Sequence, residues 1–264
     1  VGPKGRGRPF AYLIFDTTAA AMCIRALHVF TAYDALSHGV AAAIAHAITD
    51  GLRKRDRFTL ALAGGSTPER CYELLATAHH QEVLWDNVHL FWGDERVVPP
   101  DDPASNTTMA RRTLIAHVPI PEANVHPVDT TAHDTPEAAA AAYADTLTTF
   151  FEGPPAFDLV LLGLGTDGHT ASLFPEDVPH EAPSDQWVTG GLAPPRHTPR
   201  GRVSITLPTI NRARQVFFLV SGAEKADALT AVRKQTDPSL PAAHVAPAEA
   251  LHWYVDAAAA GERA

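Results

Sequence analysis

The chain has 264 residues, 45% of them hydrophobic types, and a formal net charge of −9. That is enough for one large α/β domain with a sizeable core, and its interleaved apolar residues exclude a disordered chain. The acidic balance argues against nucleic acid and acidic membrane surfaces as partners, and no apolar run approaches the ~18 residues of a membrane span. Two cysteines, Cys23 and Cys71, suit a reducing compartment without a disulfide between them, so a cytoplasmic location is expected.

Residues 1–23 are expected to be a mostly disordered N-terminal extension. VGPKGRGRP is basic and rich in Gly and Pro, and the FAYLIF patch behind it is cut by Asp16, too short for a signal peptide. Residues 24–264 then form the domain. A short strand at 28–31 leads to a helix over 33–54, read from Leu36, Val40, Ile44 and Ile48 at helical spacing. A strand at 58–63 ends in Gly64-Gly65-Ser66-Thr67, and Pro68 opens a helix to about Ala78. A strand at 88–92 ends in Gly93-Asp94-Glu95-Arg96. A polar loop follows, and Ser105 or Asn106 caps a helix reaching about His117. After a short strand at 125–128, Pro136 opens another helix to about Phe151.

The apolar run 157–162 reads as a buried strand running into Gly163-Leu164-Gly165-Thr166-Asp167-Gly168-His169. A short helix from Thr170 is expected behind it, stopped by Pro175. Residues 175–199 are Pro-rich and irregular, with a strand possible at 187–189. Strands at 203–207 and 216–220, a helix over 223–234 and a last strand at 251–255 complete the chain. Alternation of strands and helices implies a Rossmann-like, mainly parallel sheet with helices on both faces, in a single large domain.

In such a sheet, ligands bind at the carboxyl ends of the strands. Four strand ends here carry polar, glycine-rich sequences, which together describe a pocket. Gly64, Gly65, Ser66 and Thr67 suit a small anion: the backbone curls closely, two hydroxyls donate, and helical amides follow. An ordinary Gly turn with an N-cap is the plain alternative. Arg96 and Lys225 can balance an anion, with Arg202 as a further candidate. Asp94 and Glu95 are adjacent and diverge in an extended segment, which does not fit the paired carboxylates of a glycosidase. His169 is the candidate base, since imidazole titrates near neutrality. With 14 histidines in the chain, its place at the strand tip is what singles it out. Asp167 either orients the ring or closes the loop.

Other motifs are excluded. The P-loop spacing and its lysine are missing. Gly163-Leu-Gly165-Thr-Asp-Gly168 formally fits GxGxxG, but Pro175 leaves no room for the full helix that a dinucleotide site needs. No GxSxG, HExxH or CxxC spacing occurs, so serine-hydrolase, metal and cofactor chemistry lack support.

Ala63-Gly-Gly-Ser-Thr-Pro68, Trp92-Gly-Asp-Glu-Arg96, Ser105-Asn106, the block from Gly163 to Pro175, Arg202 with Leu207-Pro208, and Ser221-Gly-Ala-Glu-Lys225 resemble the 6-phosphogluconolactonase family, in that family's order, across nearly all of the chain past the extension. The resemblance implies metal-free hydrolysis of 6-phospho-D-glucono-1,5-lactone, a sugar-phosphate lactone of the oxidative pentose phosphate pathway. It implies that His169, assisted by Asp167, activates water. Phosphate and sugar contacts are expected from Gly64, Gly65, Ser66, Thr67, Asp94, Arg96, Gly168, Arg202 and Lys225, in a monomer or small homo-oligomer. One departure from the pattern is Glu176, where the family often has glycine. The nearest rival is glucosamine-6-phosphate deaminase, which resembles this chain in Gly-Gly-x-x-Pro and Asp-Gly-His. That family typically has tyrosine where this chain has Arg96, and a glutamate where it has Phe174. A silent sugar-phosphate sensor is the third reading, but the base is retained and no partner-binding segment is evident.

Overall fold

The computed structural model describes residues 10–16, 23–99, 101–177 and 182–262. The apolar runs become a seven-stranded sheet of β1 (Phe10–Asp16), β2 (Ile24–Phe30), β3 (Phe58–Leu62), β4 (Val88–Trp92), β6 (Leu159–Leu162), β9 (Gln215–Val220) and β10 (Ala250–Asp256). Their spatial order is β1-β2-β10-β9-β6-β3-β4. Every neighbouring pair is parallel except β1 with β2. β3 and β6 are buried at every residue. Burial on both faces explains why such strands read as unbroken apolar runs and not as alternating ones.

Helices α1 (Tyr33–Leu52) and α2 (Ser66–Ala78) cover one face, and α4 (Pro136–Phe151) covers the other. Gly51 of α1 lies directly over Phe58. Phe150 of α4 meets Phe91 edge-on, with ring centroids 5.0 Å apart. Ala61 is the register partner of Phe91, so strand alternation puts Phe58 on the opposite face. The shorter helices are α3 (Asn106–Thr113), α5 (Leu207–Arg212) and α6 (Ala226–Lys234).

β3 and β6 are neighbours, while β4 lies outside β3 and β9 lies beyond β6. The chain therefore departs in opposite directions from these two strands, and their carboxyl ends flank the crevice where such sheets bind ligands.

The structure corrects the sequence expectations in several places. Part of the expected extension, Phe10–Asp16, is an edge strand paired antiparallel with β2; an open parallel sheet offers unpaired backbone there. The remainder, residues 1–9 and 17–22, lies outside the described residues, as do 178–181 of the Pro-rich segment. A second sheet was not anticipated: β5 (Asp94–Arg96), β8 (Gly201–Ile205) and β7 (Val188–Leu192) form a three-stranded antiparallel layer. The expected strand at 125–128 reduces to one bridge from Leu90 to Val125. No helix follows His169. Instead Thr170 and Leu173 bond each other's backbone in both directions, at 3.3 and 3.0 Å, and Ala171 between them has φ 48°, which breaks helical continuation.

Candidate active site

The β3 end is shaped by a glycine and a tyrosine. Gly65 has φ 103°, a conformation that a side chain would strain, and it stands before α2 with no side-chain cap. The first backbone bond of α2 runs from Glu69 N to Gly65 O at 3.0 Å. The amides of Ser66 and Thr67 therefore lie ahead of the helical ladder, at its electropositive end. The buried hydroxyl of Tyr72 donates to Ala63 O and accepts from Ala63 N, both at 2.9 Å. That fixes the strand where it leaves the sheet.

The β4 end repeats the device. The Tyr143 hydroxyl, from α4, donates to Trp92 O at 3.0 Å and accepts from Trp92 N at 2.9 Å. Beyond it the two acids diverge as alternation requires. Glu95 is buried at 1% exposure. It accepts from the amides of Asn106 and Thr107 at 2.8 Å each and from Ser105 Oγ at 3.1 Å, so it caps α3 and takes no part in the cavity. Asp94 accepts from Ser172 Oγ at 2.6 Å and from Asn106 Nδ2 at 3.3 Å, tying β5 to the turn after His169. Arg96 donates through Nη1 to Ala104 O at 2.8 Å, while its buried Nε has no partner. A desolvated, unsatisfied guanidinium nitrogen is costly unless a ligand meets it.

The β6 loop folds tightly round the histidine. Gly165 N donates to His169 O at 2.8 Å, Gly168 N to Gly165 O at 3.0 Å, and Thr170 Oγ1 to Gly163 O at 2.9 Å. A methyl group on Gly165 would fall 2.0 Å from His169 Nδ1, so only glycine admits the ring. Asp167 Oδ1 lies 2.5 Å from His169 Nδ1. Burial opposes the Asp167 charge, but the hydrogen bond from Arg196 and the charge and hydrogen bonds of His169 hold its carboxyl well below the usual carboxylate range. As an anion Asp167 only accepts, so Nδ1 carries the proton and Nε2 is left as the basic nitrogen. The His169 ring also lies 5.0 Å from Phe174 and 5.0 Å from His197. Burial pulls its basicity below the ordinary histidine value, and the opposing pull of Asp167 only partly restores it.

At the β9 end, Asp256 accepts from Ser221 Oγ at 2.5 Å and from Gly222 N. This presents Glu224 and Lys225 to the crevice. Gly64, Gly65, Ser66, Thr67, Asp94, Arg96, His169, Glu224 and Lys225 together line one cavity of about 350 Å³. Asp167 and Gly168 stand behind His169 and shape its loop. Arg202 does not join them. It is buried, pairs in register with Arg96, and lines a neighbouring cavity of about 390 Å³ with Ser172, Ser204 and Leu207. That larger space holds none of the β3 turn, Arg96, His169 or Lys225.

Sequence reasoning missed Arg196 and His197, which reach Asp167 from the Pro-rich segment. Nothing in their local pattern marks them, because their partners are about thirty residues away. It also missed Glu224, whose only signal was its place beside Lys225. Asp167, His169 and His197 are close enough to share a cation, but Asp167 already receives a guanidinium.

A profile of the family described as glucosamine-6-phosphate isomerases/6-phosphogluconolactonase matches residues 31–253. A protein named 6-phosphogluconolactonase in Synechocystis sp. is 46% identical over 215 residues, covering 79% of this chain and 86% of that protein. Another, from Mycobacterium tuberculosis, is 38% identical over 243 residues, covering 89% and 97%. The crystal structure of the 6-phosphogluconolactonase of Thermotoga maritima superposes with a TM-score of 0.77 at 33% identity, over 88% of this chain and 99% of that one. The chain belongs to the glucosamine-6-phosphate isomerase/6-phosphogluconolactonase family.

Proposed function

We propose that the chain hydrolyses 6-phospho-D-glucono-1,5-lactone to 6-phosphogluconate, with His169 as general base. The observation that carries the reading is the pairing in one cavity of a neutral imidazole, its Nδ1 held by Asp167, with the Gly65-Ser66-Thr67 turn, the unsatisfied Arg96 Nε and Lys225. The turn, Arg96 and Lys225 take the phosphate, which orients the sugar ring and places its lactone carbonyl near His169. His169 Nε2 removes a proton from water as the oxygen attacks C1, a contribution of about 10²–10⁴-fold. Asp167 stabilises the imidazolium that forms. The tetrahedral intermediate then collapses with cleavage of the bond from C1 to the ring oxygen, and His169 returns the proton to that oxygen. The product leaves as a carboxylic acid that ionises in water. Neither a metal nor a cofactor enters this account.

Relatives at 38–46% identity carry the lactonase name, which favours it over the deaminase. Phe174, at the position where deaminases carry a glutamate, is buried and packs on the rings of His169 and His197, so no second acid is available there for proton shuttling at C2. Among the described residues no helix is long and apolar enough to cross a membrane. Cys23 and Cys71 are free thiols, as suits a cytoplasmic enzyme, and we place it there as a monomer or small homo-oligomer. The deciding experiment follows proton release on freshly prepared 6-phosphogluconolactone beside ammonia release from glucosamine 6-phosphate. Rapid turnover of the lactone alone is expected; ammonia release without lactone turnover would replace this reading with the deaminase.

A further inference from the structure

Arg196 reaches back from the connection between β7 and β8 to the acid behind the base. Its Nη2 and Nε donate to Asp167 Oδ2 at 2.6 and 3.2 Å. Nη1 and Nη2 also donate to the two oxygens of Glu176, at 2.5 and 3.1 Å. The other oxygen of Asp167 accepts from the Nδ1 and the backbone amide of His169. One guanidinium thus links three segments: the β6 loop, the start of the Pro-rich stretch at Glu176, and the connection into β8. Arg196 is about half exposed and does not line the cavity, so it acts on substrate only through its neighbours.

We propose that Arg196 is a positioning residue for the reaction: held by Glu176, it fixes Asp167 as the acceptor of the His169 Nδ1 proton and balances the pull of that carboxylate on the imidazole. The proposal rests on His169 as the base. An uncompensated carboxylate 2.5 Å from the ring favours the protonated imidazole, which cannot take a proton from water. A guanidinium on the far side of the carboxylate reduces that pull and leaves Nε2 free. The charged and titratable groups around the ring are Asp167 on its own loop, Asp94 from β5, and Arg196 and His197 from the β7–β8 connection. Glu176 stands behind Arg196, and Arg96, Glu224 and Lys225 lie across the cavity. Of these, Arg196 is the cation in direct contact with Asp167.

The test titrates the His169 ring by nuclear magnetic resonance in the wild type and in Arg196→Gln, with the signal assigned through His169→Asn. Protonation in Arg196→Gln is expected at higher pH, and Arg196→Lys should restore the wild-type curve in part. In turnover, kcat/KM of Arg196→Gln should fall more on the acid limb than at pH 8, by up to about threefold, the limit set by one charge screened by water at ~6 Å, with KM unchanged. An unmoved titration in a folded Arg196→Gln variant overturns the proposal. So does a loss confined to KM at every pH, which would make Arg196 a substrate contact. The titration needs no substrate, so it separates this proposal from the failure of the lactonase reading.

Discussion

Burial and a carboxylate pull the basicity of His169 in opposite directions, and burial wins. In the proposed mechanism the competent form is the neutral ring. Lactonase activity should therefore hold through neutral pH and fall on acidification with a limb below the ordinary histidine value near ~6.5. A pH profile of kcat/KM at fixed ionic strength reads this; a limb above pH 7 would reverse the balance. Arg96 has a different task. Arg96→Ala should raise KM by about 10- to 100-fold, the worth of hydrogen bonds to a charged partner, with kcat altered much less, as initial-rate kinetics would show. Gly165→Ala should cost at least tenfold in kcat, because the added methyl displaces the ring and misplaced reacting groups lose rate steeply. At this scale the sequence was legible wherever a residue acts within its own loop. That His169 meets Asp167 and that the 64–67 turn lines the same cavity was readable; the contacts of Arg196 and His197 and the capping by Glu95 were not, because their partners lie on other elements further along or back in the chain.

The elements that carry these loops are held at their last residues by side chains from elsewhere. Tyr72 and Tyr143 each satisfy both backbone groups of the residue where a strand leaves the sheet, Ala63 and Trp92. Removal of the hydroxyl strands a buried N–H and a buried carbonyl. Tyr143→Phe should therefore lose about 2–3 kcal/mol of stability in urea denaturation, while Phe still fills the space. A loss below about 0.5 kcal/mol would mean water replaces the hydroxyl. The strands and long helices were readable from apolar periodicity, and Pro136 marked the start of α4 as expected. The helix expected after His169 was wrong for a local reason. Thr170-Ala-Ser-Leu173 satisfies its own backbone in a turn, and Ser172 bonds Asp94 instead of continuing a helix.

Across the whole molecule, the parallel sheet sets the site and the small antiparallel sheet walls it. The parallel order followed from alternating strands and helices. The antiparallel layer did not, since β5 is three residues long and β7 contains two glycines in a Pro-rich region, neither with a clear strand pattern. Two histidine pairs do not line the cavity. His28 and His252 meet at 2.9 Å across β2 and β10, and His89 and His126 meet at 3.2 Å beside β4. Burial, then the neighbouring histidine, pushes His28 and His126 down from 6.5 to about 4. The unfolded chain therefore binds more protons between those values, so stability is intact above pH 6.5 and lost progressively as pH falls toward 4. The thermal midpoint should drop across that window, and the drop should shrink in a His28→Gln, His126→Gln double variant. An equal drop in the variant would assign the acid sensitivity elsewhere.

We propose proton transfer by the β6-loop imidazole in a site anchored by phosphate. Its most direct test is the rate of His169→Ala on fresh 6-phosphogluconolactone, measured together with the affinity of the same variant for 6-phosphogluconate. A rate loss of about 10²-fold or more is expected, with product affinity within a few-fold of wild type. A variant that turns over lactone at close to the wild-type rate would contradict it.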